Sequence, residues 1–160
     1  MSKISPLAFI DPEAKIGENC EIGPFCFIDK NVEIGDNNVL MNSVSVLYGA
    51  RIGNGNVIFP GAVISAVPQD LKFQGEDTTA EVGDNNKIRE NVTINRGTAA
   101  KGKTCVGSGN LLMESVHVAH DAFVGNDCII GNGTKLAGEI IIDDHAIISA
   151  NVLMHQFCRV

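Results

Sequence analysis

Counted in sixes from Ile4, the chain carries an aliphatic residue at 24 of 27 slots. The series begins Ile4, Ile10, Ile16, Ile22, Ile28, Ile34, Leu40, Val46, Ile52, Ile58 and Ile64. It misses at Asp70 and Glu76, returns at Val82, Ile88 and Ile94, misses Ala100, then runs from Val106 to Val160. Ile, Leu, Val and Met fill 45 of 160 positions, so chance would occupy only about a quarter to a third of the slots. A helix repeats every 3.6 residues and a plain strand every two. A period of six predicts a short strand followed by a fixed turn, repeated along the chain. Glycine follows the aliphatic anchor at positions such as Gly17, Gly35, Gly53 and Gly83, where its free dihedrals suit a corner. Two residues before the anchor, on the same face by alternation, stand mostly small residues: Ala14, Cys20, Cys26, Ala50, Ala62, Cys128 and Cys158 among them. That slot gives four of the five cysteines a packing role.

Two polar stretches break the beat, at about 65–81 and 95–105, and both can leave the stack as loops. Loops on a rigid scaffold are where function concentrates. Length fits one domain spanning residues 1–160. Aromatics are 5% with no Trp, which suits narrow aliphatic layers rather than a broad core. An odd number of cysteines without framework spacing points to reduced thiols and a cytoplasmic address. No signal peptide and no membrane span is visible. The net charge of −7 argues against general nucleic-acid binding. Charge is uneven, however: residues 86–103 hold five basic residues against Glu90 alone. Such a patch is either a local anion site or a solvated loop.

The stretch from Ser115 to Asp127 carries His117 and His120 around the anchor Val118. His117 must face outward by alternation, while His120 falls at the following corner, outside so narrow an aliphatic interior. Gly138 lies eighteen residues after His120 with no break in the anchors, which predicts that the two sit one coil apart, about 5 Å along the axis. Glu139 likewise stacks on Asp121. An imidazole, a carboxylate and a glycine N–H on one edge suit a base, an orienting group and an oxyanion donor for acyl transfer. Gly138 as a plain corner glycine remains an equal reading. Zinc needs three or four converging ligands. His145 is offset by 25 residues from His120, in a different angular slot, so no metal is expected.

The repeat resembles the hexapeptide-repeat proteins, in which three hexads make one triangular coil of a left-handed parallel β-helix; the hand is taken from that resemblance. "PQDLKFQGE", "NKIRENVTINRGT", "GSGNLLM", "HVAHD", "LAG" and "HQF", in this order, closely resemble the family of acyl-[acyl-carrier-protein]–UDP-N-acetylglucosamine O-acyltransferases of lipid A synthesis. The resemblance implies an all-β left-handed solenoid and an O-acyltransferase without a cofactor. It implies His120 as general base on the sugar 3-hydroxyl, Asp121 as its orienting group and the Gly138 N–H as oxyanion donor. Gln69, Asp70 and Lys72 would contact substrate from the first loop, with His117, His155 and Gln156 lining the same site. The acyl donor would be the phosphopantetheine thioester of acyl carrier protein, with UDP-N-acetylglucosamine as acceptor. A homotrimer with sites between subunits is also implied. Two positions depart from the motifs, Asn95 and Glu139, each where histidine is usual. The chain stops at Val160 within a coil, whereas the resemblance implies further coils and a helical C-terminal part, so a longer parent protein is expected. Two other readings stay open: the N-acyltransferase of the same pathway, and a metal-dependent hydratase of the γ-carbonic anhydrase type.

Overall fold

The computed structural model describes all 160 residues, Met1 to Val160. Twenty-three short strands, most of two residues, assemble into three parallel sheets of eight, eight and seven strands. Each strand pairs with the one a full coil away, as Ile4 with Ile22, Ile10 with Ile28 and Ile16 with Ile34. The chain is therefore a parallel β-helix with three strands per coil, as the six-residue beat implied, and left-handed, as the resemblance implied. The anchors point inward. Ile28, Leu40, Ile58, Ile64, Ile88, Ile94, Leu112, Ile130 and Leu136 are fully buried in one continuous core.

The excursions occupy residues 67–78 and 96–102, because Val63–Ala66, Thr79–Val82, Thr93–Asn95 and Lys103–Val106 all pair as strands. Across the first, partners such as Ile58 and Ile88 are thirty apart rather than eighteen; across the second, Ile88 and Leu112 are twenty-four apart. The insertions thus add two hexads and one hexad. Insertions in whole hexads leave the inward face of every later strand unchanged, which is why the beat survives both interruptions.

The glycines after the anchors have a different reason from the one expected. They do not adopt positive φ. A Cβ on Gly17 would lie 2.3 Å from Asp36 Oδ1 and 2.6 Å from the carbonyl carbon of Gly35, and one on Gly107 would meet Asn126 and Gly125 as closely. These glycines let successive coils stack. The left-handed corner falls two residues later, at Asn19, Asn31, Asn37, Asn85, Asn91, Asp121, Asp127 and Asn151, with φ of 54° to 61°. Asn and Asp tolerate that conformation because the short side chain bonds nearby backbone.

The slot two before the anchor also holds more than small residues. Asn38, Asn56, Asn86 and Asn110 stack inside one corner, all at most 1% exposed. Each Oδ1 accepts the backbone N–H of the next rung, from Asn56 (2.8 Å), Asn86 (2.9 Å), Asn110 (2.9 Å) and finally Cys128 (2.8 Å). The amides donate to corner carbonyls, including those of Gly53, Gly83, Gly107 and Gly125. A buried amide is tolerated here because both of its ends are satisfied. Cys20, Cys26 and Cys128 are buried as the packing argument requires, but Cys158 is exposed.

Candidate active site

His120 follows the strand His117–Val118 at a corner, where the left-handed φ of 61° at Asp121 turns the chain. The corner folds the Asp121 carboxylate back under its neighbour: His120 Nδ1 is 2.7 Å from Asp121 Oδ2. An ionised carboxylate only accepts, so Nδ1 carries the hydrogen and Nε2 is left with its lone pair free. The carboxylate is itself held. Thr98 Oγ1 donates to Oδ2 at 2.6 Å and the Thr98 N–H to Oδ1 at 3.0 Å, while the Asp121 N–H donates to Thr104 Oγ1 at 2.9 Å. Burial pushes the pKa of this carboxyl up, but the Thr98 hydroxyl, the His120 ring and the Thr98 N–H together outweigh it, leaving Asp121 below the usual carboxylate range. His120 and Asp121 are 8% and 1% exposed, so the pair works with little solvent competition.

The expected stacking of residues 120 and 138 is present and tighter than one coil spacing suggests. A Cβ on Gly138 would stand 2.7 Å from His120 Cε1 and 2.8 Å from Nε2. The imidazole occupies the place of the missing side chain. The backbone there is not left-handed, so the absence of a side chain serves the ring rather than the turn. The Glu139 N–H donates to the His120 carbonyl at 3.1 Å, while the Gly138 N–H has no protein acceptor.

A cleft of about 320 Å³ opens over this pair, walled by Gln69, His117, His120, Lys135, Gly138 and Gln156. His117 Nδ1 lies 2.7 Å from Thr93 Oγ1. Burial, then the charges of Lys135 and His120, depress its basicity, so the ring is neutral at neutral pH. Three expected residues stand outside the cleft wall in the single chain. Asp70 Oδ1 accepts from the Lys72 N–H at 2.9 Å, so this pair shapes its own turn, with Lys72 exposed. His155 is exposed, its Nδ1 3.2 Å from the Gln156 carbonyl. A larger groove of about 760 Å³ runs along another face between Lys3 and Asn42, but it holds no such acid–base pair.

The sequence reading missed Thr98 and Thr104, and counted Lys101 only as one charge of the basic stretch 86–103. Lys101 Nζ lies 3.4 Å from the Asp121 carbonyl and 4.0 Å from Glu139 Oε2, so Glu139 has a cation of its own beside it. Asn95 is 2% exposed and its Oδ1 has no hydrogen-bond partner. No three His, Cys, Asp or Glu side chains converge as a metal-binding group, and no helix is long and apolar enough to cross a membrane.

No family model matches the chain. Individual relatives do. An acyl-[acyl-carrier-protein]–UDP-N-acetylglucosamine O-acyltransferase of Aliarcobacter butzleri is 45% identical over 161 residues, covering 100% of this chain and 62% of that protein. The crystal structure of a UDP-N-acetylglucosamine acyltransferase from Bacteroides fragilis superposes with a TM-score of 0.97 at 77% identity, over 98% of this chain and 61% of that one. That of the Acinetobacter baumannii enzyme gives 0.96 at 44% identity, over 98% and 61%. The chain thus spans about three-fifths of the length of these relatives. A shared coil at up to 77% sequence identity places the chain in the UDP-N-acetylglucosamine acyltransferase family.

Proposed function

We propose that the protein transfers a 3-hydroxyacyl group from the phosphopantetheine thioester of acyl carrier protein to the 3-hydroxyl of UDP-N-acetylglucosamine, the first step of lipid A synthesis, in the cytoplasm. The observation that carries this reading is the His120 ring, tied through Nδ1 to Asp121 at 2.7 Å and packed against the side-chain-free Gly138 in an open cleft. His120 Nε2 takes the proton of the sugar hydroxyl as its oxygen attacks the thioester carbonyl carbon. The C–O bond forms and the carbonyl oxygen becomes an oxyanion, which the unengaged Gly138 N–H is available to receive. Asp121 supports the imidazolium that results. Collapse of the intermediate breaks the C–S bond, and His120 returns its proton to the departing thiolate. No redox partner and no metal is needed to balance these steps, and the reading involves no cofactor.

Gln69, His117 and Gln156 would contact the substrates where they wall the cleft. Asp70, Lys72 and His155 stand outside its wall, and we assign them to a site completed by a neighbouring copy in a homotrimer, where the first excursion of one subunit reaches the cleft of the next. The basic stretch around Lys87, Lys101 and Lys103 suits an acidic carrier protein or the diphosphate. Further coils and a helical part would complete the whole protein. The test is His120→Ala in the full-length protein, assayed with UDP-N-acetylglucosamine and a 3-hydroxyacyl carrier. Loss of a general base is expected to lower kcat by about 10²–10⁴-fold; near-normal turnover would remove His120 from this role.

A further inference from the structure

Arg96 is a buried cation without an anion. It is 8% exposed, takes part in none of the ion pairs, and its Nε has no hydrogen-bond partner. A guanidinium in that state is expensive unless something else stabilises it. Its neighbours are two aromatic rings. The guanidinium carbon lies 5.1 Å from the centroid of Tyr48 and 5.2 Å from that of Phe73, and Nη1 donates to the Tyr48 carbonyl at 3.3 Å. Both rings are close enough for their negative faces to attract the charge. Tyr48 belongs to the coils, whereas Phe73 belongs to the first excursion.

Beyond the buried Pro68, that excursion has little else to hold its middle. Its feet are tied: the Arg96 N–H donates to the Ala66 carbonyl at 2.9 Å, Thr78 Oγ1 to the Gly97 carbonyl at 2.6 Å, and Tyr48 OH to Asp77 Oδ1 at 3.0 Å. Between the feet, residues 67–76 make no hydrogen bond to the coils. Those they do make close on themselves: Lys72 N to Asp70 Oδ1, Phe73 N to Asp70 O, and Gln74 N to Glu76 Oε2. Gln69, four residues before Phe73, stands in the cleft wall beside His120. A methionine or leucine would fill the space under Phe73 without burying a charge, and a lysine ammonium is too compact to serve two rings at once.

We infer that Arg96 is a positioning residue: by engaging Tyr48 and Phe73 together it fastens the first excursion to the coils and sets Gln69 against the cleft. The kinetic part of the test rests on the acyl-transfer reading; the proteolytic part does not. Full-length Arg96→Met, Arg96→Lys and Phe73→Leu are compared with wild type. Trypsin cleavage after the exposed Lys72 reports freedom of the excursion, and kcat and KM for the sugar nucleotide report the cleft. Release of a desolvated cation–π contact predicts cleavage and KM each about tenfold higher in Arg96→Met and Phe73→Leu, with kcat within about threefold. Arg96→Lys should recover part of both. Phe73→Leu leaves the coils intact, so it decides the matter even where Arg96→Met fails to fold. Wild-type cleavage in Phe73→Leu would overturn the clamp, and faster cleavage with unchanged KM would overturn its hold on the cleft. Absence of any acylation by wild type would instead sink the acyl-transfer reading, with cleavage still deciding the clamp.

Discussion

Gly138→Ala adds one carbon, and the structure says where it lands. The new Cβ would sit 2.7 Å from His120 Cε1, 2.8 Å from Nε2 and 3.3 Å from Nδ1. Carbon contacts are comfortable at about 3.5–4.0 Å, so the ring must retreat by about 1 Å. It cannot retreat freely, because Nδ1 is held 2.7 Å from an Asp121 carboxylate that Thr98 holds in turn. The backbone at 138 suits alanine, and the Gly138 N–H remains. The substitution therefore isolates the position of the base from the oxyanion donor. A misplacement of about 1 Å at a reacting group lowers turnover by roughly 10²-fold, equivalent to about 2.7 kcal/mol in the barrier. The assay is steady-state transfer from a 3-hydroxyacyl carrier to UDP-N-acetylglucosamine in the full-length protein, with thermal unfolding alongside. We expect kcat to fall about 10²-fold with KM nearly unchanged, because the alanine acts on the base. In a cycle with His120→Ala, the double variant should be no slower than His120→Ala alone, since the added methyl then has nothing to displace. Wild-type kcat in Gly138→Ala, or independent losses in the double variant, would refute the claim that this glycine exists to seat the imidazole.

Thr98→Val keeps the shape of the side chain but leaves Asp121 Oδ2 with one donor fewer; kcat should fall about tenfold with Thr98→Ser near wild type, and an unchanged Thr98→Val would dismiss the support. Asn86→Ala removes the acceptor of the Asn110 N–H and the donor to the Gly107 carbonyl, both inside the corner, so urea unfolding should show a loss of about 2–5 kcal/mol; less than 1 kcal/mol would mean that water replaces the rung. His117, depressed below its usual 6.5, is protonated more readily in the unfolded chain than in the folded one. The stability that its neutral state gives is therefore complete above pH 6.5 and declines as pH falls from there toward its folded value. His117→Asn should flatten that part of the stability-against-pH curve, and an unaltered slope would rule His117 out as its source.

The sequence by itself determined the coil. An apolar residue every sixth position has few solutions, and three-hexad coils fix the pairings at an offset of eighteen wherever no excursion intervenes. That arithmetic brought His120 to Gly138 before any coordinates, and the outward side of His117 followed from alternation. It was legible because a solenoid makes periodic contacts between near neighbours in sequence. Periodicity was silent wherever the contacts are not periodic. Thr98 reaches Asp121 across twenty-three residues because the second excursion bends back over the corner. Arg96 meets Phe73 because an excursion folds down upon it, and Asp70, Lys72 and His155 stand outside the cleft wall, with Asp70 and His155 in equally local contacts. The buried asparagines escaped a reading that expected small residues inside, since a polar amide is admissible only if its partners are in place. The glycines were correctly located yet wrongly explained: dihedral freedom is a property of one residue, whereas the ban on a side chain at Gly17 comes from Gly35 and Asp36 on the next coil. Pattern along a chain reports which side faces inward; only the packed coils report what each atom would touch.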